Sequence, residues 1–295
     1  MRSLAQLAAS GCVALTCAAA IADDKTVDTR NITTRATITG SITQSAASAG
    51  AGTADNRQSL GIGSVAGKVD ARNVDATGNV VAAVAQTSVG RNTQSLVIGG
   101  VDANLNARNV SVNGTVVGAI SQSADVRIEQ NLGVGAVLGV VNARDITARG
   151  NIGGILTQSG KGNASNDSQT LLVGAIKDTD GRNLNVKGNV IGAVTQIALS
   201  GANGSNRQTI VVGGLDNAQV RNVNSDATVL GLITQVSGSG LSGTNRQVMN
   251  IGGVQNASVR NFDSFVLVGG NVTQIGSVGG DDNRQTMVLG GVQGR

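Results

Sequence analysis

From Arg108 the chain reads RNVSVNGTVVGAISQ, and its positions alternate. Even offsets from the Arg carry Val110, Val112, Gly114, Val116, Gly118, Ile120 and Gln122, while Asn109, Ser111, Asn113 and Thr115 fill the first odd ones. The stretch from Arg182 repeats this with Leu184, Val186, Gly188, Val190, Gly192, Val194 and Gln196. Period two, with β-branched residues on one parity and small polar ones on the other, predicts strands with one buried face. A second stretch, QTIVVGGL, sets Gln208, Ile210 and Val212 on one face before Gly213-Gly214 shift the phase. A helix is excluded by the period and by the glycine content.

The alternation belongs to a larger repeat. An Arg followed by Asn (once Asp) stands at Arg30, Arg72, Arg108, Arg144, Arg182, Arg221 and Arg260. Fourteen residues after each comes a Gln: Gln44, Gln86, Gln122, Gln158, Gln196, Gln235 and Gln274. A second Gln follows at Gln58, Gln94, Gln130, Gln169, Gln208, Gln247 and Gln285. The first residue of the phase-shifting pair is always glycine: Gly63, Gly99, Gly135, Gly174, Gly213, Gly252 and Gly290. It marks a bend that needs glycine's backbone freedom. Residues 30–295 thus form seven repeats of about 38 residues, starting at 30, 72, 108, 144, 182, 221 and 260. Each has two β-segments joined by a loop of variable length, which takes up most of the length variation.

Two all-β architectures accommodate this, a β-solenoid and an antiparallel meander or barrel of seven hairpins. A parallel coil sets like residues upon like about every 4.8 Å, which gives a reason for the fixed Arg-to-Gln offset; a meander has no such constraint. The aromatic girdles of a membrane barrel are absent. The expected fold is a β-solenoid with no evident terminal caps, so that its end strands offer open edges to another chain.

Composition narrows the function. Residues 1–22 have a basic start at Arg2, an Ala/Leu-rich stretch and Ala20-Ile21-Ala22, the layout of a secretory signal peptide cleaved after Ala22. A short segment, 23–29, would follow. Both cysteines, Cys12 and Cys17, lie in the leader, so the mature chain would have no thiol, no disulfide and no transmembrane segment. The chain has no His, Trp, Tyr or Pro. The usual activating base, zinc ligands and thiolate nucleophile are therefore missing. No catalytic, cofactor or metal site is expected, and no enzymatic activity; the carboxylates of a carbohydrate-cleaving β-helix do not recur in register. With two phenylalanines as its only aromatics, the chain has no stacking platform for bases. Without the leader the charge is +3, which does not point to specific nucleic-acid binding.

The glutamines share parity with the buried Val and Ile. Stacked, each amide would donate to one neighbour and accept from the other, forming two structural ladders. The arginines would repel one another unless solvated, paired or bound to an anion. Their expected place is an outward corner, with an anionic polysaccharide or a cell surface as a partner such a column would suit. A second row, Arg57, Arg207, Arg246 and Arg284, precedes some of the second glutamines. Asp281-Asp282-Asn283 has the makings of a calcium loop but occurs once, and otherwise reads as a solvated turn.

In TQIGSVGGDDNRQ, Gln274-Ile275-Gly276 leads to Asn283 and Gln285, and TQSGKGNASNDSQ runs similarly from Gln158. These strings resemble the repeats of curlin, the subunit of bacterial curli, although the present units are longer and open on Arg-Asn. The resemblance implies a secreted functional-amyloid subunit of a biofilm matrix, with the glutamine columns as its ladders. The Gly/Val/Asn texture also resembles adhesin solenoids of the filamentous-haemagglutinin type. The expected function is a secreted, extracellular or cell-surface subunit that joins end to end with copies of itself into a fibre for biofilm or attachment. The alternative is a monomeric adhesin or glycan-binding module using the Arg column or the odd-face apolar patch of Val117, Ala119, Leu230 and Leu232.

Overall fold

A computed structural model describes residues 26–47, 55–162, 167–201, 204–240, 243–278 and 282–294. The leader and residues 23–25 lie outside the described residues. Every described element is a strand, and the strands pair in parallel across two sheets. The chain is a β-solenoid, each repeat being one coil of it. Six coil-to-coil steps, at sequence separations of 36 to 39 residues, join seven levels, as the register Gln58, Gln94, Gln130, Gln169, Gln208, Gln247, Gln285 shows.

The coil around Arg182 illustrates the path. A long strand, Ile176–Val190, is followed by a first arm, Ala193–Ser200, and a second arm, Ser205–Val212. Long strands form one sheet and arms the other. Where the loop between arms is short, the two arms run together, as in Val84–Ile98 and Ala119–Val134. The first of the two expected segments thus divides at a corner before the first arm, and its strand begins upstream of the Arg, just after the glycine bend.

The long strand bends at its Arg. Gly181 pairs with Val220 and Asn183 with Asn222, while Arg182 and Arg221 drop out of the register. In the coil below the centre, Val69 and Ala71 point inward, then Val74 and Ala76, so that Arg72 and Asn73 both fall outside. The strand therefore wraps around a first hydrophobic cluster, to which Val65, Val69, Val74 and Ala76 belong. A second cluster lies between the far end of the long strand and the two arms, with Val80, Val84, Leu96 and Ile98 among its members. Each fully buried aliphatic contributes about 1.5–3 kcal/mol, and stacking repeats that gain at every level.

The glycine bend divides the two lobes. All seven bend glycines have φ between +51° and +63°, where a side chain is strained. The bend also presses against the long strand opposite: a Cβ on Gly99 would sit 1.8 Å from the Asn113 carbonyl oxygen. Opposite the bend stand Gly78, Gly114, Gly150 and Gly188, and a Cβ on Gly114 would meet the Gly135 nitrogen at 2.2 Å. Three coils carry Ala36, Ala227 or Val266 there instead, and each supplies a hydroxyl two residues earlier. Thr34 Oγ1 donates to the Gly63 carbonyl at 3.0 Å, Ser225 Oγ to that of Gly252 at 2.9 Å, and Ser264 Oγ to Gly252 at 2.6 Å. The waist is closed by glycine against glycine or by a hydroxyl on the bend carbonyl.

Candidate functional site

The two arms face each other across the second lobe, and both glutamine columns point into it. In the first, each Gln Nε2 donates to the Oε1 of the preceding coil: Gln86 to Gln44, Gln122 to Gln86, and so on to Gln274 on Gln235. The second column does the same from Gln94 on Gln58 to Gln285 on Gln247. These twelve bonds span 2.7–3.0 Å. The second amide proton is used as well. Gln196 Nε2 donates across the lobe to the Thr209 carbonyl at 3.2 Å, and Gln169 Nε2 to that of Ile197 at 2.9 Å. The columns thus hold the arms together as well as the coils, and Gln86 through Gln235 are fully or almost fully buried.

The arginine column lies on the outside of the long strand's corner. All seven are exposed, and none of them belongs to the ion pairs of the described residues, which involve Arg35 with Asp75, Lys187 with Asp226 and Arg284 with Asp282. Beside them runs an exterior amide ladder: Asn73 donates to Asn31, Asn109 to Asn73, Asn183 to Asp145, Asn222 to Asn183 and Asn261 to Asn222, at 2.7–2.8 Å. Two residues before each Arg is another outward column, containing Asp28, Asp70, Asn106, Asn142, Asp180, Gln219 and Ser258. Between these ridges, about 7 Å apart along the strand, lies a trough whose floor is Ala71, Ala107, Ala143 and Gly181 with their neighbours. Cavities of about 730 and 470 Å³ make it up, and both are lined by Asn106, Ala107 and Arg144, so the trough is continuous along the stack.

The second arginine row is also exposed. Arg207 and Arg246 border a separate cavity of about 600 Å³ in the concave corner between second arms and long strands, with Lys177, Asp178, Asp216 and Asn256. Burial raises the Asp216 carboxyl above the usual carboxylate range, against a hydrogen bond from Asn256 Nδ2 at 3.1 Å. Burial likewise raises Asp102, which accepts from Ser95 Oγ at 2.9 Å. Asp167 is pushed up to about 6 by burial, against a bond from the Ile128 N–H at 3.3 Å. Among the described residues its Oδ2 has no partner, and neither does Oδ1 of Asn206, its neighbour in the register.

No protein-family model, curated protein or solved structure corresponds to this chain, so its chemistry is argued from its own residues. Among the described residues no group of three or more His, Cys, Asp and Glu comes together, and no helix is long and apolar enough to cross a membrane. Asp281 lies outside the described residues. Of the apolar patch, Val117, Leu230 and Leu232 are 57%, 50% and 42% exposed along the corner between long strand and first arm. The structure brings the seven arginines into one line and the glutamines into two facing lines. Sequence reasoning missed the opposite wall of the trough and the buried Asp167. Parity was the available signal for the wall, since it shares the Arg side of the strand.

Proposed function

We propose that the protein is a secreted structural subunit that joins head to tail with copies of itself into an extracellular fibre, without enzymatic activity. The observation that carries this reading is the polarity of the amide ladders. Every bond donates toward the N-terminal coil, so the first described coil offers amide protons and the last offers amide oxygens. Among the described residues, Gln44 and Gln58 each donate only to a backbone carbonyl, of Ser59 and Thr87, with no amide acceptor below. Gln274 and Gln285 donate downward, and no amide of the described residues donates to their Oε1 atoms. One end is thus complementary to the other in the geometry already repeated six times inside.

Apolar exposure supports the same joint. Met249, Ile251 and Val254 are 0% exposed, whereas their equivalents one coil on, Met287, Leu289 and Val292, are 42%, 52% and 56% exposed. The arm Asp282–Leu289 is paired on one side only, against Thr244–Ile251. A copy whose first coil stacked there would bury these side chains and satisfy the edge. The likeness to curlin repeats agrees with this reading. The second reading, a monomeric adhesin or glycan-binding module, draws on the lateral trough.

Proline offers no amide proton to a ladder. Val288→Pro is expected to stop fibre growth, followed by negative-stain microscopy and light scattering over time, while the inner coils keep their far-ultraviolet dichroism. Val211→Pro, at the equivalent place inside the stack, is expected to unfold the chain. Fibres of Val288→Pro protein growing at the wild-type rate would refute the head-to-tail joint and favour the monomeric module.

A further inference from the structure

We infer that the arginine trough is a binding site for an extended acidic polysaccharide of the polyuronate class, lying parallel to the solenoid axis with its carboxylates on arginines of the column. The trough runs along the side of the stack, so a single chain and a fibre present it alike, and the inference rests on neither assembly state.

Three features of the trough define its ligand. First, the charges are periodic. The coils are about 4.8 Å apart, close to the length of one sugar in an extended polymer, and a polyuronate carries one carboxylate per sugar. Second, the guanidinium groups have their donors available, being exposed and outside the ion pairs of the described residues. A planar fork of N–H donors matches a carboxylate in bidentate fashion, which a lysine would not reproduce. Third, the facing wall is polar without being basic. Asp70, Asn106, Asn142, Asp180 and Gln219 accept from, and in the case of the amides also donate to, hydroxyl groups.

That wall decides between polyanions. A nucleic acid or polyphosphate in the trough would bring phosphates against Asp28, Asp70 and Asp180, a like-charge contact. An extended polyuronate turns by about half a turn at each sugar, so carboxylates alternate with hydroxyls along each edge; with carboxylates on Arg30, Arg108 and Arg182, hydroxyls face Asp28 and Asp180, and wall-side carboxylates fall at the amides Asn142 and Gln219. Ala71 and Ala143 turn their side chains into the first cluster, so the outer face of the floor is backbone that the sugar rings can approach closely. The exterior ladder of Asn73, Asn109, Asn183, Asn222 and Asn261 fixes the residue after most of the arginines and so holds the ridge in register.

The test uses fluorescently labelled oligogalacturonates of increasing length, titrated with the purified chain at low salt and followed by anisotropy. Affinity is expected to rise with length up to about seven sugars, the number of arginines, and then level off. The fully methyl-esterified oligomer, which keeps the backbone and loses the charge, is expected to bind at least tenfold more weakly. Combined Arg144→Gln, Arg182→Gln and Arg221→Gln is expected to weaken binding at least tenfold with the melting temperature retained. The lysine triple variant should recover only part of it, and Arg207→Gln with Arg246→Gln should leave it unchanged. Equal binding of esterified and free oligomers, no dependence on length, or duplex DNA binding as tightly as the oligogalacturonate would each overturn the assignment. These three readouts use the unaltered protein, so they decide the matter even if the triple glutamine variant misfolds. Binding that persists when Val288→Pro abolishes fibres would leave this assignment standing and leave the head-to-tail joint as supported; fibre growth by that variant would sink the joint alone.

Discussion

The glutamine columns inside the arms and the arginine column on the long-strand corner share one spacing and one repeat, yet they end in opposite physical states. An amide carries donor and acceptor together, so a copy above and a copy below complete it. Gln158 is 1% exposed and Gln196 is fully buried, and each is bonded on both sides along its column. A guanidinium carries donors only, so stacking it on itself satisfies nothing and adds repulsion. The chain places that column at a bend where two successive residues face water. Translation by one strand spacing selects self-complementary groups for the interior and leaves the others for solvent or a partner.

The sharpest way to break this contrast is to remove a self-complementary rung. Gln196→Leu strands Gln158 Oε1, the Thr209 carbonyl and one proton of Gln235. The expected loss is about 1–3 kcal/mol per stranded group, read as a fall in melting temperature; an unchanged transition would mean that water replaces the amide.

A smaller effect is expected where a neighbouring interior column, that of Asn206 and Asn245, already holds a misfit. Asp167 stands level with Asn206 and Asn245, but a carboxylate cannot donate. Its folded pKa of about 6 lies above the ordinary 3.8, so the folded state binds the extra proton. Stability is then greatest below pH 4, falls as pH rises through 6, and is level above; the full change is at most about 3 kcal/mol. Asp167→Asn should raise the melting temperature at pH 7 and flatten the profile between pH 4 and 6. A flat wild-type profile would show the carboxylate to be solvated.

The smallest effect belongs to the exterior. Arg182→Gln should change stability by no more than about 0.5 kcal/mol, because the side chain is exposed and belongs to none of the described ion pairs. A loss comparable to that of Gln196→Leu would mean that the column contributes to the fold.

The solenoid was legible because it is written in short-range order: the alternation from Val110 to Gln122 names the buried face, and the constant Arg-to-Gln offset favours stacking over a meander. The bend at Arg72 was harder to see, since the inward residues before it, Val69 and Ala71, are on the other parity from Val74 and Ala76. The narrow waist was invisible. Gly99 meets Gly78 and the Asn113 carbonyl through the middle of the coil, a contact between residues that nothing local relates. The trough escaped notice because its second wall has no repeated identity, passing from Asp28 to Asn106 to Gln219 to Ser258. What recurs there is direction, not residue type.

The parallel register has a mechanical side. The hydrogen bonds between coils point along the solenoid axis, so a pull on the two ends loads them in line with their length. Each step from the coil of Arg182 to that of Arg221 is closed by a long strand and two arms, pairing over Ile176–Val190, Ala193–Ser200 and Ser205–Val212. All those bonds share the force at once, and none is reached before the others as in a hairpin opened from its tip. Tension spread over the whole cross-section makes such a stack stiff and resistant to rupture along its axis, and comparatively weak against a force that peels one corner.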